Sequence, residues 1–152
     1  MVDPNKNFVL FYYFSILFPA FSKILDVGKS TSHKTAFFTQ IRSLHKGIMG
    51  SDRSVDLGVE PNQYDAVICV GVLVSGHVKG EGMNDFLFVV KAGGLIVFNI
   101  NESVIKDSDY KYHEKMEELS NQGKWKLLVK TYERKYNDHR GAYFYIYQKI
   151  ID

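Results

Sequence analysis

The chain has 152 residues, of which 45% are hydrophobic and 24% are charged, so it suits one folded domain with a single core. Its formal net charge of +2, without a block of like charges, gives no reason to expect a nucleic-acid or acidic-lipid partner. The single cysteine, Cys69, cannot form an internal disulfide, which suits a reducing compartment. A cysteine-rich zinc site is excluded, and no metal is expected.

The N-terminus is a long apolar run. Residues 8–21, FVLFYYFSILFPAF, are almost wholly apolar, but the run is shorter than the ~20 residues of a membrane-spanning helix. Its length matches the apolar part of a signal peptide, whereas the weak charge before it and the internal Pro19 favour a buried helix. We expect an apolar N-terminal segment at 1–22 and a folded domain at 23–152 of a cytoplasmic protein. A secretory signal peptide is the alternative.

Strands and helices alternate along the rest of the chain. Apolar runs and helical periodicity predict strands at 23–27, 48–49, 64–70, 95–100, 124–136 and 141–150, and helices at 35–44, 83–90 and 107–122. The polar turn at 137–140 is short enough to make the last two strands an antiparallel hairpin. The order predicts an α/β fold whose sheet is parallel until its last element.

The stretch ILDVGKSTS, residues 24–32, has two interpretations. Its second half resembles the end of a phosphate-binding P-loop, and its first half resembles a strand and turn that bind S-adenosylmethionine (SAM). A P-loop needs a glycine five positions before Gly28, where this chain has Lys23, and strand-forming residues occupy the place of the loop. The P-loop interpretation therefore fails.

Later motifs favour the SAM interpretation. ILDVG is followed by GSDRS at 50–54, YDAVICVGVLVSGHV at 64–78, VVKAGGLIVFNI at 89–100 and AYFYIYQK at 142–149. In this order the motifs resemble the class I SAM-dependent methyltransferases, and among them the methyltransferase-like family of the Williams–Beuren critical region. The resemblance makes 23–152 a methyltransferase-like domain. It implies a Rossmann-like sheet with the final strand inserted antiparallel, and SAM as the cofactor.

The resemblance also implies positions for the cofactor. Asp26 and Gly28 match the acid and first glycine of the family's cofactor loop, and Asp52 stands where an acid binds ribose hydroxyls. For Asp26 the alternative is an acid that caps local N–H groups at the strand end, and for Asp52 it is a solvated turn residue. The implied cofactor-binding residues are Asp26, Gly28, Thr31, Asp52, Val70 and Gly71.

The chemistry of methyl transfer needs few side chains. The sulfonium of SAM is already activated, so the enzyme aligns an acceptor and excludes water. His77, in the loop after the strand at 64–70, is a candidate for the substrate pocket or for a base, and the alternative is a solvated loop histidine. The acceptor implied is a small molecule or a protein group.

Departures from the family pattern raise a second hypothesis. Ser30 and Ser32 replace the later glycines of the cofactor turn, where glycine allows close approach of a ligand. The eleven residues 53–63 are fewer than the ~16 that a helix and a strand require, so the third strand is expected to be missing. A truncated or degenerate product would account for both. The alternative function is a non-catalytic domain that does not bind SAM and acts only as an interaction module.

Overall fold

The computed structural model describes residues 24–27, 59–137 and 140–151. Within these ranges no helix is long and apolar enough to cross a membrane. A short 3-10 turn at Gly80–Gly82 precedes the first described α-helix. The elements of the described ranges are β1 (Ile24–Val27), β2 (Tyr64–Leu73), α1 (Met83–Val89), β3 (Val90–Asn101), α2 (Tyr112–Asn121), β4 (Trp125–Asn137) and β5 (Arg140–Lys149).

The strands of the described ranges form one five-stranded sheet in the order β1-β2-β3-β5-β4. The first three strands are parallel, and β5 runs antiparallel between β3 and β4, so β4 is parallel to the first three. This order confirms the predicted α/β sheet, which is mostly parallel and receives its final strand in antiparallel orientation. The predicted strands at 64–70 and 95–100 are present, and the structure extends both of them.

Several predictions fall on residues that the structure does not describe. Residues 59–63 contain no strand, but the rest of the segment expected to lack the third strand lies outside the described ranges. The other predictions that lie outside are the segment 1–22 with its boundary, the helix at 35–44 and the strand at 48–49.

Helix α2 begins at Tyr112, so the prediction of a helix from Asp107 onward is wrong at its start. The Asp107 carboxylate accepts the N–H of Asp109 at 2.9 Å, and the Asp107 carbonyl accepts the N–H of Tyr110 at 3.1 Å. Lys111 then has a φ of 54°, outside the helical region. An aspartate that bonds the backbone two residues onward favours a turn over a helix, and that local preference prevails here.

The predicted end of this helix at Gly123 is confirmed. Gly123 has a φ of +67°, a left-handed conformation that glycine adopts without steric cost. Its N–H donates to the carbonyl of Ser120 at 3.0 Å, and the next N–H, of Lys124, donates to the carbonyl of Leu119 at 3.0 Å. These two bonds form a Schellman motif, which satisfies carbonyls at the helix end.

The main hydrophobic core lies between one face of the sheet and the two described helices. Phe98 of β3 is fully buried at its centre, with its ring 5.8 Å from Phe86 of α1 and 5.3 Å from Tyr145 of β5. Cys69 and Trp125 are also buried there, as predicted. The opposite face carries a second buried cluster formed by Ala66, Leu95, Val97 and Ile146.

Candidate functional site

The carboxyl ends of the parallel strands meet at one edge of the sheet. Val27, the last residue of β1, pairs with Cys69, so Val70 and Gly71 follow directly beside the end of β1. Asp26 pairs with Ile68, one position earlier. Ligands of open α/β sheets bind at this edge. The fold therefore brings three predicted cofactor residues to neighbouring strand ends, while Gly28, Thr31 and Asp52 lie outside the described ranges.

Gly71 forms a bulge at this edge. Between the pairs Cys69–Phe98 and Leu73–Ile100, β2 has three residues where β3 has one. Gly71 takes a φ of +81°, and among the described residues the nearest atom to a Cβ built on it would be the Tyr136 hydroxyl oxygen, 3.9 Å away. An exposed glycine, which has no Cβ, lets a ligand approach the backbone closely. Its N–H is already used, because it donates to Asn99 Oδ1 at 2.8 Å.

Asn99 is a buried polar residue within the apolar run LIVFNI, residues 95–100 of β3. Only 2% of Asn99 is exposed, and it follows Val97 on the second face of the sheet by the alternation of β3. It lies opposite Phe144 in the antiparallel ladder. A buried amide needs hydrogen-bond partners, and one of them is the Gly71 N–H.

Tyr136 joins the same group from the end of β4. Its ring meets Phe144 edge-on, with centroids 5.2 Å apart and planes at 78°. Burial raises the pKa of the Tyr136 hydroxyl, and a hydrogen bond from the Asn99 side chain opposes that rise. Neither Asn99 nor Tyr136 was predicted from the sequence as a site residue. A single amide inside the buried run LIVFNI was the available signal, since such a group is retained only with partners.

The loop that follows β2 carries His77, which is exposed. Its backbone N–H donates to the carbonyl of Val74 at 3.2 Å. Tyr110 holds this loop, because its hydroxyl accepts the N–H of Gly76 at 2.6 Å and shares a hydrogen bond with Ser75 Oγ at 3.5 Å. The bond with Ser75 and then that with Gly76 lower the pKa of Tyr110. The role predicted for His77 stays a prediction.

Glu102 closes the end of β3 against the hairpin. Its carboxylate accepts the N–H of Gly141 at 2.9 Å and the O–H of Tyr132. These two bonds, the one from Tyr132 first, hold the pKa of Glu102 below its usual range. Both oxygens are engaged, so this carboxylate fastens β3 to the hairpin. Within the described ranges no three His, Cys, Asp or Glu side chains gather in a way that could hold a metal ion.

The chain resembles known proteins in its fold and not in its sequence. No protein-family model matches the chain, and no curated protein matches it in sequence. The [4+2]-cyclase SpnF has a TM-score of 0.55 at 13% identity, over 85% of this chain and 75% of its own. Phosphoethanolamine N-methyltransferase 2 of Haemonchus contortus, solved with phosphomonomethylethanolamine and S-adenosylhomocysteine, has a TM-score of 0.54 at 11% identity, over 99% of this chain and 39% of its own.

A protein of Listeria monocytogenes assigned to the SAM-dependent methyltransferases has a TM-score of 0.51 at 9% identity, over 83% of this chain and 79% of its own. Identities this low show the fold alone, and the three similar structures include a cyclase as well as methyltransferases. A shared fold does not fix the reaction. The chain has the Rossmann-like fold of the SAM-dependent methyltransferases.

Proposed function

We propose that the chain is a SAM-dependent methyltransferase. The observation that carries this proposal is the carboxyl edge of the sheet, where the adjacent ends of β1 and β2 meet beside the exposed bulge at Gly71. Support comes from the shared fold, since the similar Haemonchus enzyme was solved with the demethylated product of SAM. The edge of an α/β sheet at its strand ends is where such ligands bind.

The described part of this edge fits the cofactor. Gly71 offers backbone without a Cβ, and the half-buried Val70 beside it offers an apolar side chain. Asp26 and Gly28 would hold the methionine part of SAM, and Asp52 would hold the ribose hydroxyls. Thr31 would complete the turn, while Val70 and Gly71 would line the end of β2. When bound, SAM supplies the activated methyl group, so the chain itself has to orient the acceptor and exclude water.

The proposal extends to the partners of the protein. The acceptor is a small molecule or a protein group, and a net charge of +2 gives no reason to propose a nucleic acid. The single cysteine, buried and free, suits the cytoplasm. On its motifs the chain stands with the Williams–Beuren-region family of methyltransferase-like proteins.

The non-catalytic alternative receives no support from the described residues. It rests on Ser30, Ser32 and the short segment 53–63, of which only residues 59–63 are described. Among the described residues, the nearest atom to a Cβ on Gly71 would be the Tyr136 hydroxyl oxygen at 3.9 Å, an ordinary van der Waals contact. We therefore keep the methyltransferase as the single proposed function.

Isothermal titration with SAM and with S-adenosylhomocysteine tests this function. Asp26→Asn removes a carboxylate at the carboxyl edge, whereas the matched control Asp65→Asn removes one at the opposite end of β2, where Asp65 pairs with Lys91 at 2.6 Å. We expect Asp26→Asn to weaken binding about tenfold or more, as for a lost charge-assisted hydrogen bond, and Asp65→Asn to leave it unchanged. A folded wild-type chain that gives no binding heat with either compound would remove the proposal.

A further inference from the structure

A polar network spans three strands at the carboxyl edge and reaches beyond the residues assigned to the cofactor. We propose that Tyr136 binds the methyl acceptor, donating a hydrogen bond from its hydroxyl to a carbonyl or carboxylate oxygen of a small molecule, and that Asn99 positions it. This inference rests on the proposed methyl transfer and adds the chemical class of the acceptor.

The position of Tyr136 depends on an irregularity in β4. Between the pairs Glu133–Ala142 and Asn137–Arg140, β4 has three residues where β5 has one. The extra residues free Tyr136 from the regular ladder, since a bulge redirects the side chains of its strand. The ring then packs edge-on against Phe144 of β5, and its hydroxyl lies near Gly71 of β2. Its hydroxyl would lie 3.9 Å from a Cβ on Gly71.

The hydrogen bonds of Asn99 determine whether the Tyr136 hydroxyl is available to a ligand as a donor or as an acceptor. Asn99 Oδ1 accepts the N–H of Gly71, and the Asn99 side chain lowers the pKa of Tyr136. Asn99 is buried, its Oδ1 already bonds Gly71, and no buried side-chain nitrogen or oxygen of the described residues lacks a hydrogen-bond partner, so the group that Asn99 turns to Tyr136 Oη is its Nδ2 donor. The Tyr136 proton therefore points elsewhere. In the part of the chain that the structure describes, no acceptor takes it.

Burial keeps this hydroxyl protonated. The raised pKa of Tyr136 makes it a neutral phenol at physiological pH, and a neutral phenol donates a hydrogen bond but does not act as a base. Its role is therefore to bind an oxygen that carries a lone pair. The half-buried position beside Gly71 suits a small molecule, because a ligand has to enter the edge to reach the hydroxyl.

The oxygen bound by Tyr136 is not the atom that becomes methylated. A hydrogen bond donated to the attacking lone pair would occupy that lone pair and weaken the nucleophile. Tyr136 instead holds a neighbouring oxygen and thereby fixes the direction in which the nucleophile faces the methyl group. An acceptor with a carbonyl or carboxylate near its methylated atom fits this arrangement. Asn99 acts only through Tyr136 and is a positioning residue.

Two small probe molecules distinguish the contribution of the Tyr136 hydrogen bond to affinity from that of apolar contacts. Benzamide carries a carbonyl oxygen next to an aromatic ring, and toluene has the ring without it. Ligand-observed NMR titration with protein saturated in S-adenosylhomocysteine measures the affinity of each probe. The variants are Tyr136→Phe, which loses the donor, and the control Tyr143→Phe, which loses a hydroxyl on the opposite face of the same hairpin.

We expect Tyr136→Phe to weaken benzamide binding roughly three- to tenfold, the range of one net hydrogen bond, without changing the affinity for toluene or for S-adenosylhomocysteine. Tyr143→Phe should change none of the three. Asn99→Asp keeps an acceptor for Gly71 but turns the Tyr136 proton toward the new carboxylate. Asn99→Asp should therefore weaken benzamide binding to a similar degree. It serves as the test variant if Tyr136→Phe does not fold.

The outcomes distinguish this inference from the proposed function. If the wild-type chain binds S-adenosylhomocysteine but Tyr136→Phe binds benzamide as well as wild type does, the role of Tyr136 is wrong and the cofactor proposal stands. If the saturated wild-type chain does not bind benzamide, the acceptor class is wrong. If the folded chain does not bind S-adenosylhomocysteine, both proposals fail together.

Discussion

Replacing Asn99 by alanine tests whether the network at the carboxyl edge stabilises the fold. The side chain is 2% exposed, and its oxygen accepts the Gly71 N–H at 2.8 Å. Loss of this bond and of the contact with Tyr136 costs about 1 kcal/mol each, and a buried donor left without a partner adds about 1–3 kcal/mol. Because Gly71 is exposed, water offsets part of that penalty. We expect Asn99→Ala to lower the free energy of unfolding by about 2–4 kcal/mol.

Urea unfolding followed by circular dichroism measures this change. With a slope of about 2 kcal/mol per molar urea, the midpoint should fall by roughly 1–2 M. Asn101→Ala is the matched control two residues further along β3, because within the described ranges the Asn101 side chain bonds only the exposed Ser103, and water can replace it. We expect that variant to lose less than about 1 kcal/mol. Equal losses in the two variants, or a loss under about 1 kcal/mol for Asn99→Ala, would show that the Asn99 hydrogen bonds do not stabilise the fold.

Three further predictions concern the core, the hairpin and the loop after β2. Phe98→Ala empties the centre of the main core and should cost about 3–5 kcal/mol in urea unfolding. The pKa of Glu102 is lowered in the folded protein, so the ionised carboxylate and its bond to Tyr132 stabilise the protein at pH values above the ordinary pKa of a glutamate. This stabilisation is lost as the pH falls through the lowered pKa. Urea midpoints measured from pH 6 to pH 3 should therefore fall less steeply in Glu102→Gln. Gly80→Ala should lower the thermal midpoint, because its Cβ would lie 2.6 Å from the carbonyl oxygen of Lys111.

Each of the three predictions would be contradicted by a specific result. A loss below about 1.5 kcal/mol in Phe98→Ala would mean that the surrounding rings collapse into the space. Parallel pH profiles for wild type and Glu102→Gln would show that the carboxylate has the same pKa in the folded and unfolded chains. An unchanged thermal midpoint in Gly80→Ala would show that the Lys111 backbone shifts without cost. The control is Gly123→Ala, where a Cβ would meet no atom of the described residues within 4 Å, so this variant measures the cost of a positive φ alone.

Long buried strands could be predicted from the sequence because their pattern is strong. YDAVICV and LIVFNI are nearly continuous apolar runs, each with a single polar or charged residue besides tyrosine, and such runs are typical of parallel strands covered on both faces. The hairpin was equally clear, since a short polar turn separates two aromatic strands. The insertion of β5 between β3 and β4 followed only from the resemblance to a family, because no local pattern states which strand is its neighbour.

The boundaries and the polar contacts could not be predicted in the same way. The start of α2 depends on the carboxylate of Asp107, whose bond to the Asp109 N–H competes with helix formation. Asn99 and Tyr136 could not be predicted as site residues, because they are far apart in sequence and meet only through the bulges in β2 and β4. The predicted cofactor role of Gly71 stays a prediction, and the use of its N–H by Asn99 depends on side-chain geometry that the sequence does not contain.

Amide chemical shifts locate the cofactor on the sheet. In a titration of the ¹⁵N-labelled chain with S-adenosylhomocysteine, we expect shifts of the Val27, Val70 and Gly71 amides at the carboxyl edge. The amides of Tyr64 and Asp65 at the opposite end of β2 should remain in place. Shifts confined to that opposite end, or an unchanged spectrum at saturating ligand, would contradict the assignment of this edge as a SAM site.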